Sequence, residues 1–148
     1  MDAMDTEPRK LTPGSQAHPE APKPPAVLLV DDHYLMRSSL KDWFACVFPQ
    51  FKILEADSGE SALALFDFVS PRLVLMDFAL PGMNGIEAAR QIRAFQPETK
   101  IVMLSIHDEQ QYREDAQKAG VSAFFSKSGL RADLFPALKE LLGVGDEP

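Results

Sequence analysis

From Ala26 onward the chain alternates between short apolar runs and stretches of helical period. "AVLLV" (26–30) is a continuous apolar run of strand length. Leu35, Met36, Leu40, Trp43, Phe44 and Val47 then recur at helical spacing, with Pro49 just past the end. "FKILEA" (51–56) reads as a second strand, and its charges predict a more exposed one. Ser58 is placed to cap a helix with Ser61 at its third position; Ala62, Leu63, Leu65 and Phe66 form the apolar stripe. "RLVLMD" (72–77) is a third strand, and "LPGMNG" (80–85) is a loop by its Pro, Gly and Asn content. Ile86 to Phe95 reads as a helix with Pro97 after it, and "KIVMLS" (100–105) as a fourth strand. Glu109 to Lys118 is a polar helix stopped by Gly120. "SAFFSK" (122–127) is a fifth strand. The last helix is expected to start near Ala132 or later, or to be kinked, because Pro136 lacks an N–H; it runs to Leu142.

Five strands thus alternate with five helices. Strands one, three and four are near-continuous apolar runs, as expected when both faces of a sheet are covered. The expected fold is an α/β doubly wound parallel sheet with right-handed crossovers. In such a sheet the functional crevice lies beyond the carboxyl ends of the strands, where strand order reverses. Those ends deliver Asp31 and Asp32, Asp77, Ser105 and Lys127 to one edge.

Residues 1–25 differ in composition. They hold six prolines, no aromatic residue and no apolar periodicity, so a disordered tail is expected there. Residues 26–142 form one expected domain, and 143–148 a short C-terminal tail. The net charge of −7 argues against direct nucleic-acid binding by this chain as a whole. Cys46 is the single cysteine, which excludes an internal disulfide and a thiolate metal cage. No apolar run reaches the length of a membrane span and no secretory leader is evident, so a cytoplasmic location is expected.

Three carboxylates on one edge require a neutralising cation. An oxygen donor set without sulfur favours a hard ion, foremost Mg²⁺, which leaves room for phosphate oxygens. Lys127 brings a mobile positive charge suited to a phosphoryl group, and Ser105 a hydroxyl donor. An aspartate can itself be the nucleophile in phosphoryl transfer. Taken singly, each residue has a plainer reading: Asp32 could cap the next helix, and Lys127 could be solvated surface. The conjunction on four different strand ends is what carries the signal. His33 and His107 flank the crevice without the companions of a zinc site, and His18 lies in the tail.

"LLVDDH", "VLMDFALPGMNG", "MLSIHDE" and "AFFSKS" resemble the receiver domain of two-component response regulators, the CheY-like superfamily, over about residues 26–142. The "DDH" and "SIHDE" segments are most similar to receivers of LuxR-type regulators. The resemblance implies a flavodoxin-like five-stranded parallel sheet with five helices. It implies that Asp77 is the phosphoacceptor, Asp32 a direct Mg²⁺ ligand and Asp31 an acid acting through water, with the main-chain carbonyl of Ala79 as a further ligand. Ser105 matches the switch hydroxyl, Phe124 the aromatic switch and Lys127 the phosphate-binding lysine. The implied partner is a sensor histidine kinase or phosphotransfer protein, with a homodimer as a further possibility.

Three positions depart from the family pattern: Ser128 where proline is common, Phe124 where tyrosine is common, and Ala79 without a polar side chain. The expected function is a phosphorelay receiver that accepts a phosphoryl group on Asp77 and switches partner or dimer contacts. It is not expected to be a turnover enzyme, and Ile106 beside Ser105 predicts slow loss of the phosphoryl group. Alternatives are the receiver half of a helix-turn-helix DNA-binding regulator, a phosphate-independent binding module, and a Mg²⁺-dependent aspartyl phosphatase. The adjacent acids, in place of an Asp-x-Asp motif, count against the phosphatase.

Overall fold

The computed structural model describes residues 24–106, 110–127 and 130–144. The elements are β1 (Ala26–Val30), α1 (Tyr34–Val47), β2 (Lys52–Ala56), α2 (Gly59–Leu65), β3 (Leu73–Asp77), α3 (Gly85–Phe95), β4 (Lys100–Ser105), α4 (Gln110–Lys118), β5 (Ala123–Ser126) and α5 (Leu130–Leu142). All strand pairs are parallel, in the order β2-β1-β3-β4-β5. This is the doubly wound, CheY-like architecture expected.

Alternation along the central strands makes two cores. Val27, Leu29, Leu73, Leu75, Val102 and Leu104 face α1 and α5, where Leu40, Phe44, Leu134 and Leu138 meet them. Leu28, Val30, Val74, Met76, Ile101 and Met103 face α2 and α3, against Ala62, Ala88, Ala89 and Ile92. Burial on both faces is why these strands carry polar residues only at their ends. β2 lies at a sheet edge and keeps Lys52 and Glu55 exposed, as its charges predict.

Local signals act as expected at several joints. Ser58 Oγ accepts the Ser61 N–H at 3.0 Å and caps α2. Gly120, at φ 92°, ends the α4 turn in a left-handed conformation that few other residues adopt cheaply. The start of α5 differs. The helix begins at Leu130, so Pro136 lies beyond the first turn. Leu134 and Leu138 are both fully buried, and burying two leucines contributes about 3–6 kcal/mol. That offsets the roughly 3 kcal/mol cost of an interior proline, whose ring is exposed to solvent.

Candidate functional site

Strand order reverses between β1 and β3, and their register aligns Val30 with Met76. The next residues, Asp31 and Asp77, therefore leave adjacent strands side by side. Both are buried, at 2% and 4% exposure. The Asp31 N–H donates to Ala56 O at 3.1 Å, and Asp31 Oδ1 accepts the His33 N–H at 2.8 Å, turning the chain into α1. His33 is the N-cap residue of α1 and makes no side-chain cap bond. Asp32 therefore does not serve as the cap and stays exposed at the crevice.

Lys127 completes the buried part. Its N–H donates to Ser105 O at 2.8 Å, which ties it to the end of β4. Its Nζ lies 3.3 Å from Asp31 Oδ2 and 3.3 Å from Asp77 Oδ1. Asp77 Oδ1 also accepts the Ala79 N–H at 3.3 Å. Burial raises the Asp77 carboxyl above its ordinary value; Lys127 opposes the shift, and the nearby Asp31 charge adds to it. The site is thus acidic, partly desolvated and held by one ammonium.

One ligand atom each from Asp31, Asp32, His33 and Asp77 lie within 4.8 Å of one another. Three carboxylates at this spacing fit a hard divalent cation such as Mg²⁺. His33, set aside in the sequence reading, joins the group: Nδ1 is 3.4 Å from Asp31 Oδ1 and 3.5 Å from Asp32 Oδ1, on a largely exposed ring. Ser105 is buried at the end of β4, one residue past the Asp77–Leu104 pair. Phe124 is half-buried on β5, with the Arg113 guanidinium 5.0 Å above its ring and Phe78 6.2 Å away. His107 and Ser128 lie outside the described residues, as does nearly all of the N-terminal tail.

Three further residues that shape this site were not singled out in the sequence. Asn84 caps α3 by accepting the Glu87 N–H at 2.9 Å, and Gly85 packs against the backbone beside Asp77. Arg37 donates from Nη1 to Asp31 O at 2.6 Å and from Nε to Glu55 Oε1 at 2.9 Å. A cation near the start of α1, where the helix dipole favours an acid, was the available signal for Arg37.

Residues 27–139 match the family model of the response regulator receiver domain, and the chain belongs to that family. It carries the receiver domain of a two-component response regulator. The transcriptional regulatory protein DegU of Brevibacillus brevis is 33% identical over 114 residues, which cover 76% of this chain and 48% of DegU. The chain spans about half the length of the curated relatives it matches. A LuxR-family two-component response regulator from Aurantimonas sp. SI85-9A1 superposes with a TM-score of 0.74 at 32% identity, covering 80% of this chain and 85% of that one. The response regulator TrrA of Thermotoga maritima, in complex with Mg²⁺–BeF, gives 0.71 at 30% identity, over 79% and 98% of the two chains.

Proposed function

We propose that Asp77 accepts a phosphoryl group from a phosphohistidine of a sensor kinase or phosphotransfer protein, and that the phosphorylated form changes partner or dimer contacts. The observation that carries this reading is Lys127 Nζ at 3.3 Å from both buried carboxylates at the strand-order reversal. Asp77 Oδ1 is engaged by Lys127 and the Ala79 N–H, which leaves Oδ2 to attack phosphorus. The O–P bond forms as the N–P bond breaks, and the imidazole departs with its electron pair. Asp32 and Asp77, with Asp31 through water and the Ala79 carbonyl, would hold Mg²⁺; TrrA, 30% identical, was solved with Mg²⁺–BeF. When bound, Mg²⁺ neutralises the cup and the charge on the transferring oxygens.

After transfer, Lys127 pairs with the phosphoryl oxygens and the Ser105 hydroxyl donates to one of them. These contacts exist only in the phosphorylated state, so they shift the population toward the conformation that Phe124 reports. Tyr34, Leu35 and Ile106 leave the crevice at 66%, 79% and 71% exposure, an uncovered apolar rim that the phosphodonor would cover. The chain acts as a switch rather than a turnover enzyme. Among the described residues no helix is long and apolar enough to cross a membrane. The net charge of −7 speaks against sequence-independent binding of DNA by the surface as a whole.

Incubation with Mg²⁺ and a small acyl phosphate, followed by intact mass measurement, tests the assignment. One phosphoryl group is expected on the parent and none on Asp77→Asn. A phosphoryl group retained by Asp77→Asn, or catalytic turnover of a generic phosphate ester, would overturn it.

A further inference from the structure

We infer that Arg37 is a positioning residue for the metal-binding acid Asp32, acting through the peptide that joins Asp31 to Asp32. The inference rests on the cation-site reading above. The Arg37 side chain is 14% exposed. Its Nη1 donates at 2.6 Å to the Asp31 carbonyl oxygen, and its Nε is held at 2.9 Å by Glu55 Oε1. Lys41 Nζ secures the other Glu55 oxygen at 3.0 Å. The Tyr34 ring lies under the guanidinium at 5.7 Å. The guanidinium is therefore held from two sides and, among the described residues, meets the cup through the Asp31 main chain and not through a carboxylate.

The peptide unit is planar, so orienting the Asp31 carbonyl also orients the N–H and Cα of Asp32. Asp31 is otherwise well fixed: its N–H bonds Ala56, and its carboxylate holds the His33 N–H and Lys127. Asp32 differs. The exposed His33 ring, at 3.5 Å, is the side-chain partner it shows among the described residues. Its place in the cup is set by its backbone, and Arg37 holds that backbone. Glu55 has a second effect. A lone guanidinium this close would repel a divalent cation; paired with Glu55, the arginine orients the acid with its charge compensated.

Arg37→Lys keeps the charge but loses the fork that reaches carbonyl and carboxylate together, and Arg37→Met keeps the stem without the charge. Mg²⁺ would be titrated into each at constant ionic strength, following the backbone amide resonances of residues 30–33. Phosphorylation by a small acyl phosphate would be measured at low and at saturating Mg²⁺. Both variants are expected to bind Mg²⁺ about three- to tenfold more weakly, at or below the roughly tenfold lower bound for partners that orient metal ligands, because Arg37 acts through the backbone. Their phosphorylation should fall at low Mg²⁺ and recover at saturation, a split that general destabilisation would not produce. If they fail to fold, Glu55→Ala, which removes the acceptor that holds Arg37 Nε, decides instead, with a loss of about two- to threefold expected, smaller than for partners that touch a ligand directly. Parent-like Mg²⁺ affinity in the folded variants, or in Glu55→Ala where those variants do not fold, overturns the role of Arg37 alone. A parent protein that binds no Mg²⁺ overturns the site reading as well.

Discussion

Gly85→Ala is expected to weaken the fold and displace the loop that carries Asp77 together. A Cβ at this position would lie 2.5 Å from the Asp77 carbonyl oxygen, 3.0 Å from that of Phe78 and 3.1 Å from Met103 Sδ. The thioether can move aside, but the two carbonyls belong to the segment that carries Asp77. Gly85 N–H also donates to Phe78 O at 3.1 Å, so helix α3 cannot back away without breaking that bond. Overpacking of this kind costs about 1–3 kcal/mol. Exchanging glycine for alanine in a helix returns at most about 1 kcal/mol. A net loss of about 1–2 kcal/mol corresponds to a melting temperature lower by roughly 4–8 °C for a domain of this size. Thermal unfolding followed by circular dichroism reads the first effect, and the rate of phosphorylation by an acyl phosphate the second. Gly143→Ala is the control, since nothing lies within 4 Å of the added carbon. Its φ of 70° carries only the local cost of a left-handed alanine, about 1–2 kcal/mol, and phosphorylation should not change. If Gly85→Ala melts within a degree of the parent and is phosphorylated at the parent rate, the close-approach argument is wrong.

Lys127→Met should leave Asp31 and Asp77 buried without their shared cation, at a cost of about 3 kcal/mol in metal-free buffer. Added Mg²⁺ should then raise the melting temperature of the variant more than that of the parent, and equal gains would speak against a shared cup. Glu55 is held below its usual pKa by hydrogen bonds from Lys41 and Arg37. A depressed carboxyl stabilises the fold above its unfolded value, and this is lost as pH falls through the folded one. The stability advantage of the parent over Glu55→Gln should therefore be full above about pH 4.5 and shrink below it. Urea unfolding of both proteins across pH 3–7 checks the sign; an advantage that grew on acidification would refute it.

The order of elements was legible because each depends on a local period. Strands β1, β3 and β4 are buried on both faces, so their apolar runs stood out, and the acids at the ends of β1 and β3 marked the crevice. Ser58 and Gly120 acted where their short-range chemistry predicts. Helix α5 begins at Leu130, two residues ahead of Ala132: a proline's local cost is visible in sequence, whereas the burial of Leu134 and Leu138 that outweighs it is not. Only the tertiary structure decided that Lys127, 96 residues from Asp31, bridges it to Asp77. It also decided that Gly85 is a packing position rather than a loose loop residue, and that Arg37 reaches the Asp31 carbonyl. Hydrophobic period is written in neighbouring residues and survives without context. A hydrogen bond between distant segments depends on strand register and helix placement, which exist only once the whole chain has packed.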